Sequence, residues 1–353
     1  MSGRRVLGAL ILGIAGLASR GVAAPPAGPR AEVPIREVIL SDGVRRYALP
    51  VKIGGVTLDA GLDTGSSGLR VLPGVLGPDD ARQVGGGSNY SYGSGADLRG
   101  VTGEATVAIG GLAAPARLQL VEHVGCTPQQ PRCPASRVSE ADYGVQGDGL
   151  PHEGFKAILG TNMGDAEVPS LLPAMGARRW IVELPRPGEG LPGRLILNPT
   201  AEETAGFVAF KTFPAFAERR GGLHDAIGGC LVNLASKARA CGAVLLDSGA
   251  PGLDVANGGL GGQPWPDGTA AALTFGDPGG QVRAVAQLQI GQRSQVSHLT
   301  YRPDPRNAGP VIYSGLTAYF AFSVLYDADA RTVALKPRPQ APGGPIGTTV
   351  PAS

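Results

Sequence analysis

The chain has 353 residues, enough for two domains of ordinary size or one large β-rich domain. Hydrophobic residues make up 42% of it and charged residues 17%, a composition that excludes wholesale disorder and provides for a packed core. The formal net charge of +2 is too balanced to suggest a nucleic-acid or membrane-surface partner. Gly (56) and Pro (31) are abundant, which favours short strands joined by tight turns over helical bundles.

The N-terminus has the pattern of an export signal. Arg4 and Arg5 provide a positive start and precede an apolar stretch, Val6 to Ala18. The small residues of Gly21 to Ala24 offer a cleavage site. We therefore expect residues 1–24 to be a signal peptide and the mature protein to be periplasmic or secreted, without stable membrane insertion. An uncleaved membrane anchor is the alternative, although the apolar stretch is short for a bilayer span.

The four cysteines fall into two locally spaced pairs, Cys126 with Cys133 and Cys230 with Cys241. Because an exported chain meets an oxidising compartment, we interpret them as two short-loop disulfides, although spacing alone leaves the connectivity open. A zinc site would need closer C-x-x-C spacing or neighbouring histidines, and neither is present. The histidines are scattered and are interpreted as surface or loop residues. The sequence therefore predicts no metal and no cofactor.

Period-two hydrophobic patterning predicts strands through most of the chain. Tyr47 to Leu58 is typical of two strands around a Gly-Gly turn, and Val107 to Gly111 ends another strand on a Gly-Gly turn. Pro169 to Gly176 is the best candidate for a short helix in the first half. Apolar strands lead into two aspartates, Asp63 in the first half of the chain and Asp247 in the second.

The order of elements in the first half recurs in the second. Each half has a strand, an Asp-hydroxyl-Gly turn, further strands and an apolar-Gly step, which is Ile158 to Gly160 in the first half and Tyr313 to Gly315 in the second. A duplicated lobe explains this order more simply than coincidence. We predict lobes over residues 31–184 and 194–340, separated by a polar, Pro- and Gly-rich centre and followed by a flexible tail over residues 341–353.

The candidate chemistry lies in the two turns, Asp63-Thr-Gly-Ser-Ser67 and Asp247-Ser-Gly-Ala250. In each turn the glycine permits a tight bend, and the small hydroxyl residue can form hydrogen bonds within and across lobes. Apolar residues precede each aspartate, so each carboxylate should emerge from a rigid strand into a cleft of low dielectric constant. Two carboxylates pressed together there cannot both ionise, so they share a proton and titrate as a coupled pair.

Such a pair suits peptide hydrolysis. The charged carboxylate would act as general base on a water molecule that attacks a peptide carbonyl, and the protonated one would polarise the carbonyl oxygen. The predicted catalytic residues are Asp63 and Asp247, and the predicted supporting residues are Thr64, Gly65, Ser66, Ser248 and Gly249.

These turns and the segments around them resemble the pepsin family of aspartic proteases, and within it a poorly characterised bacterial group. Asp63 to Val71 is similar to the family's first active-site turn, and Tyr92 to Gly95 resembles the tip of its flap hairpin. Ala157 to Gly160 resembles the step behind the first aspartate, and Ser314 to Pro337 the C-terminal closing segment. The matched blocks are short, but they occur in the family's order.

The resemblance implies an all-β, bilobal, pepsin-like double β-barrel with its active-site cleft between two related lobes. It implies a secreted, monomeric aspartic endopeptidase that acts on polypeptide substrates, with Tyr92, Gly93 and Ser94 in a flap over the substrate. Aspartic proteases are the established example of two carboxylates that share one proton, so that logic is carried over. The alternative is a catalytically inactive pepsin-fold binding or inhibitor protein of the cell envelope.

Two residues depart from the family's pattern. Arg70 stands where the family usually has a tryptophan that hydrogen-bonds the flap tyrosine, so the flap geometry should differ. We favour a structural ion pair for Arg70 over a substrate-binding role. Ala250 lacks a hydroxyl that commonly hydrogen-bonds the second aspartate, and this loss should raise the pKa of Asp247.

The Ala250→Thr substitution tests this effect on the pH dependence of hydrolysis. Restoring a hydroxyl that hydrogen-bonds the ionised Asp247 should lower the pKa of Asp247 and move the pH–rate profile to more acidic pH than that of the wild type. Coincident profiles for the two proteins would contradict the assigned role of Ala250.

Overall fold

The computed structural model describes residues 28–350 except for 165, 213–223, 258–264, 277–279 and 303–308. The predicted signal peptide, residues 1–24, lies outside the described residues. Within them the regular secondary structure is mostly β-strand, with little helix, which confirms the predicted all-β class. None of the described helices is long and apolar enough to span a bilayer.

The strands divide between the two halves of the chain. The first half forms β1 (Ala31–Ile39), β2 (Arg45–Ile53), β3 (Val56–Asp63), β4 (Ser67–Val71), β5 (Arg82–Ser91), β6 (Ala96–Ile109), β7 (Leu112–Cys126), β8 (Ala157–Thr161), β9 (Arg179–Glu183) and β10 (Gly193–Leu197). The second half forms β11 (Val208–Lys211), β12 (Ile227–Asn233), β13 (Arg239–Leu245), β14 (Leu253–Ala256), β15 (Ala270–Gly276), β16 (Val282–Gln289), β17 (Leu299–Arg302), β18 (Val311–Tyr313), β19 (Phe322–Asp327), β20 (Thr332–Pro337) and β21 (Ile346–Thr349). The described helices are α1 (Ala201–Thr204) and α2 (Thr317–Ala321), with single 3₁₀ turns at Pro134–Arg137 and Arg293–Gln295.

Both Gly-Gly turns predicted from the sequence join antiparallel strands. Gly54 and Gly55 connect β2 to β3, and Gly110 and Gly111 connect β6 to β7. Gly54, Gly110 and Gly111 have positive φ angles, which residues with a Cβ atom rarely adopt. The predicted helix over Pro169 to Gly176 is wrong, because this segment forms successive hydrogen-bonded turns. Its prolines lack backbone N–H donors and disfavour a regular helix.

The two halves repeat one strand topology. In the first half the strand order across the sheet is β2-β3-β8-β4-β7, and in the second half it is β12-β13-β18-β14-β17. The β3–β8 and β4–β7 pairs are parallel, as are β13–β18 and β14–β17, whereas the remaining pairs in both series are antiparallel. Independent origins would not produce the same mixture of directions, so the structure supports the predicted duplication.

The two halves are joined by a continuous sheet. Strand β9 of the first half pairs with β19 of the second, and β20 and β11 extend the sheet from there. Strand β10, which the sequence assigns to the second half, pairs with β9 and β1 of the first. At the junction Trp180 and Tyr326 are stacked, with ring centroids 5.7 Å apart. One hydrophobic core therefore contains residues of both halves.

The C-terminal segment corrects the prediction of a flexible tail over residues 341–353. Residues Ile346–Thr349 form β21, which pairs antiparallel with β16. Gly347 lies so close to the end of α2 that a Cβ atom there would be 2.3 Å from the carbonyl oxygen of Ala321. The β-branched side chains of Ile346, Thr348 and Thr349 suit a strand, and the open edge of β16 supplies the hydrogen-bonding partner.

The structure contains both disulfides, Cys126–Cys133 and Cys230–Cys241. The first closes a short loop after β7, and its Cα atoms are 5.6 Å apart. The second joins register-paired residues of β12 and β13. The interpretation of the cysteines as two local pairs is therefore confirmed.

A buried carboxyl group links the two halves near the cleft. Asp225 is 1% exposed, and its carboxyl group accepts the backbone N–H of Met163 at 3.0 and 3.1 Å. Burial raises the pKa of Asp225 to about 8, and the hydrogen bond from Met163 only partly opposes this effect. A carboxyl group in an unfolded chain has a pKa near 4. As the pH rises from about 4 to about 8, this group ionises in the unfolded chain before it does in the folded one, so the free energy of unfolding falls.

The Asp225→Asn substitution should remove this pH dependence, because the amide keeps an acceptor for Met163 and cannot ionise. We expect equal unfolding free energies for the variant and the wild type at pH 3, and about 1–3 kcal/mol more stability for the variant at pH 8. Urea unfolding at the two pH values measures the difference. Asp59→Asn, at an exposed site, is the matched control, and equal stability of Asp225→Asn and wild type at pH 8 would contradict the assignment.

Candidate active site

The two Asp-hydroxyl-Gly turns meet at the boundary between the halves. Each turn follows a strand that is paired in parallel with the strand of the apolar-Gly step, β8 behind Asp63 and β18 beside the strand that leads to Asp247. A Cβ atom at Gly160 would lie 2.6 Å from the carbonyl carbon of Ser67, so the step must be glycine for β8 to pack behind the first turn. Gly315 is similarly close to Gly252 in the second half.

The glycine of each turn makes room for the carboxyl group of the other turn. A Cβ atom at Gly65 would lie 2.4 Å from the carboxyl carbon of Asp247. A Cβ atom at Gly249 would lie 2.7 Å from Oδ1 of Asp63. The two carboxyl groups therefore lie together, each against the backbone of the opposite turn. We call Asp63 and Asp247 the aspartate pair.

Behind the aspartate pair, the two hydroxyl residues cross-link the turns. Thr64 Oγ1 donates to the carbonyl oxygen of Leu246 at 2.8 Å, and Ser248 Oγ donates to that of Leu62 at 2.9 Å. The backbone N–H of Ser248 donates to Thr64 Oγ1 at 2.9 Å, and that of Thr64 donates to Ser248 Oγ at 3.1 Å. All of these groups are buried, so the lattice holds both turns in a fixed relation.

Tyr319 extends this lattice and was not predicted from the sequence. Its hydroxyl lies 2.7 Å from Thr64 Oγ1, 3.1 Å from the carbonyl oxygen of Leu246 and 2.5 Å from the hydroxyl of Tyr326. Both tyrosines are fully buried. The signal that could have indicated a role for Tyr319 is a tyrosine within an otherwise apolar run, since a buried phenol needs a polar partner.

The two carboxyl groups have unequal environments. Asp63 accepts the backbone N–H groups of Gly65 at 3.0 Å and Ser66 at 3.1 Å, and the Ser66 hydroxyl at 2.7 Å. Asp247 accepts the backbone N–H of Gly249 at 2.8 Å. Burial and then the charge of Asp63 raise the pKa of Asp247 well above its usual range. Asp63 therefore has more hydrogen-bond donors than Asp247, and Asp247 keeps its proton to higher pH than an ordinary carboxyl group does.

The aspartate pair lies in a cleft of about 700 Å³ that is lined by both halves of the chain. Two ion pairs line its walls, Arg46 with Asp148 in the first half and Arg302 with Asp254 in the second. Arg46 also donates to the carbonyl oxygen of Gly249 at 2.7 Å, so it reaches across to the second turn. The sequence did not indicate any of these four residues, because their side chains come together only in the folded chain.

Two of the histidines that the sequence assigns to the surface or to loops are in this cleft. His224 and His298 line it, and burial lowers the pKa of His298. Within the described ranges no three or more His, Cys, Asp or Glu side chains are grouped in a way that could hold a metal ion.

The hairpin of β5 and β6 projects over the cleft, and we call it the flap. Its tip begins at Tyr92, whose backbone N–H donates to the carbonyl oxygen of Ala96 at 2.8 Å. Tyr92, Gly93 and Ser94 all line the cleft, so the structure brings the predicted flap residues and the aspartate pair into one site. The loop closed by Cys126–Cys133 supports the tip, because Thr127 donates to the carbonyl oxygen of Gly95 at 2.8 Å.

Tyr90, two residues before the tip, was not among the predicted site residues. It lines the cleft, and its ring contacts that of Tyr92 edge-on with centroids 4.9 Å apart. Burial is the main cause that raises the pKa of Tyr90 to about 12. The flap role of Tyr92 stays a prediction, and its hydroxyl is buried without a hydrogen-bond partner.

No protein-family model matches the chain, and no curated protein matches it. The interpretation of the site therefore rests on its geometry. Two adjacent carboxyl groups, one suited to hold a charge and the other a proton, lie at the floor of a cleft and beneath a hairpin tip. Such a pair can take a proton from one atom of a bound group while it donates a proton to another atom.

The close approach of the two turns predicts different effects for two glycine substitutions. Gly65→Ala should destabilise the fold by about 1–3 kcal/mol, because its methyl group would overlap the Asp247 carboxyl group. Gly93→Ala, at the flap tip, is the matched control and should change stability by less than about 0.5 kcal/mol, because the nearest atom is 3.8 Å away. Urea unfolding measures both effects, and equal changes would contradict this geometry.

Proposed function

We propose that the chain is a secreted aspartic endopeptidase with a pepsin-like double-barrel fold, and that Asp63 and Asp247 catalyse the hydrolysis of peptide bonds. The observation that carries the proposal is the reciprocal contact of the two turns, in which each carboxyl group lies against the glycine of the other. A structural role alone does not explain why two carboxyl groups meet at the floor of an open cleft, since their mutual repulsion opposes folding. Such a cost is typical of catalytic sites.

In the proposed reaction, Asp63 is the general base and Asp247 the general acid. The Asp63 carboxylate takes a proton from a water molecule as the water oxygen bonds to the peptide carbonyl carbon. Asp247 transfers its proton to the carbonyl oxygen, which gives a neutral tetrahedral diol. The diol then returns a hydroxyl proton to Asp247, the C–N bond breaks, and Asp63 transfers its proton to the leaving amine. The pair is thereby restored for another turnover.

The cleft supports a polypeptide as substrate. It is open to solvent and lined by Tyr90, Tyr92, Tyr143 and Tyr313, which offer apolar surface with polar edges. The flap lies opposite the aspartate pair, so an extended chain would pass between the two. The ion pairs Arg46–Asp148 and Arg302–Asp254 stand on the walls that such a chain would contact. They make the subsites beyond the scissile bond partly polar.

The two disulfides support an extracytoplasmic location, because such bonds persist in oxidising compartments. We propose the periplasm or the medium as the place of action and a monomer as the active form. Both halves of the proposed site belong to one chain, so catalysis needs no second copy.

Cleavage of an unstructured protein between pH 3 and pH 7, with and without pepstatin, tests the proposed function. The wild type should cleave it, and pepstatin should abolish the activity. Asp63→Asn and Asp247→Asn should each lower the cleavage rate by on the order of 10³-fold, because either substitution removes one of the two proton-transfer groups.

Asp59→Asn is the matched control for these variants. Asp59 lies on the same strand as Asp63, is exposed and pairs with Arg36 outside the cleft, so its substitution should leave the rate unchanged. Equal cleavage by the wild type and Asp63→Asn would contradict the proposal. No cleavage by the wild type at any pH would instead favour the inactive binding protein.

A further inference from the structure

Arg70 lies in an environment that differs from the structural ion pair expected from the sequence. It is only 3% exposed, and among the described residues no carboxylate lies within ion-pair distance of it. Its guanidinium instead stacks over the ring of Tyr90, 3.4 Å from the ring centroid. Nη1 makes a long contact of 3.4 Å with the carbonyl oxygen of Gly68, and Nε has no partner. A buried arginine without an anion is costly unless a charge nearby compensates it.

The strands beside Arg70 provide no such charge. Arg70 is paired with Gln119 of β7 and with Ile158 of β8, and both of these residues are uncharged. The flap presents Tyr90 and Tyr92, whose phenols are neutral because burial raises their pKa values. Arg70 and both members of the aspartate pair act electrostatically on Tyr90, so this ring is near all three.

The other charges of the cleft are already compensated. Arg46 is paired with Asp148, and Arg302 with Asp254. Of the two histidines that line the cleft, His298 has a lowered pKa and is neutral at and above pH 7. Among the described groups, the singly ionised aspartate pair is therefore left with one negative charge and Arg70 with one positive charge.

Both charges lie beside the first aspartate turn. Arg70 follows that turn directly on β4, and its guanidinium stacks on Tyr90, 3.4 Å from the ring centroid. Tyr90 lines the cleft together with Ser66 and Asp63, and the Ser66 hydroxyl donates to Asp63 at 2.7 Å. The Tyr90 ring therefore lies between the cation and the polar groups of the first turn.

We propose that Arg70 is a positioning residue that acts as the counter-charge of the aspartate pair, stabilising its singly ionised form and, through its stack on Tyr90, holding the flap over it. This inference rests on the proposed function only for its effect on catalysis. The electrostatic part concerns the two carboxyl groups themselves.

The flap is fixed at a second point by the neighbour of Arg70. Gln119 is fully buried, and its Nε2 donates to the carbonyl oxygens of Ser88 and Leu98 at 3.0 Å each. Ser88 belongs to β5 and Leu98 to β6, so one side chain holds both strands of the flap. Arg70 and Gln119 are register partners, and together they hold the hairpin against the first half of the chain.

Carboxyl NMR of protein labelled with ¹³C at aspartate measures the titration of the aspartate pair without any need for activity. Arg70→Met keeps much of the buried volume and removes the charge, so both apparent pKa values of the pair should rise by about one unit. Arg70→Lys keeps the charge, so these pKa values should stay close to those of the wild type. Tyr90→Phe keeps the stacked ring and the Arg70 charge, so its effect should be smaller than that of Arg70→Met.

The pH dependence of kcat/KM on an unstructured protein gives the catalytic arm. Arg70→Met should shift the whole profile to higher pH by about one unit. Arg70→Lys should keep the position of the profile but raise KM, because an ammonium group does not stack on Tyr90 as a planar guanidinium does. Arg36→Met, which removes an exposed charge outside the cleft, is the control for net charge and should change neither quantity.

The two arms separate failure of this inference from failure of the proposed function. Carboxyl pKa values in Arg70→Met that match those of the wild type would overturn the role of Arg70, whether or not the chain cleaves protein. A rise in these pKa values in Arg70→Met, together with a wild type that cleaves no protein, would keep that role and overturn the peptidase. If Arg70→Met does not fold, Arg70→Gln, which also removes the charge, takes its place, and an unshifted titration in that variant overturns the inference.

Discussion

The crossed hydrogen bonds between Thr64 and Ser248 are the constraint on which the rest of the site depends. Each hydroxyl donates to a carbonyl oxygen that precedes the opposite aspartate and accepts a backbone N–H from the opposite turn. Neither half can form these bonds alone, so the carboxyl groups come together only when both halves are folded. The glycines Gly65 and Gly249 then let each carboxyl group approach the opposite backbone. Tyr319 adds a further donor behind the lattice.

The charges in the cleft are arranged so that the two buried carboxyl groups can lie side by side in the folded chain. Asp63 has three hydrogen-bond donors and Asp247 has fewer, so the two members of the pair differ in their environments. The arginines on the walls are neutralised by carboxylates of their own, whereas Arg70 is not. The same polar groups thus serve two ends. They compensate buried charges that would otherwise oppose folding, and they set the proton distribution that hydrolysis would require.

The duplication could be recognised from the sequence, whereas the connection between the two halves could not. Turn glycines and strand periodicity are local, so the Gly-Gly hairpins and the apolar-Gly steps predicted from them are present in the structure. The pairing of β9 with β19 and of β21 with β16 depends on edges that meet only after folding. For that reason the prediction of a flexible tail was wrong at Ile346–Thr349, whereas the predicted helix over Pro169 to Gly176 was wrong for a local reason, its prolines.

The sequence by itself determined the all-β class, the two aspartate turns with their hydroxyl and glycine neighbours, and the two local cysteine pairs, because each depends on residues close together in the chain. Only the tertiary structure decided which polar side chains surround the aspartates. Arg46, Tyr90 and Tyr319 come from distant segments, and of the three only Tyr319, a tyrosine within an apolar run, carries a local signal. Arg70 was noticed in the sequence, but its environment was not, since the ring on which it stacks belongs to another strand. Contacts between residues far apart in the chain set burial, and burial sets the protonation of the site.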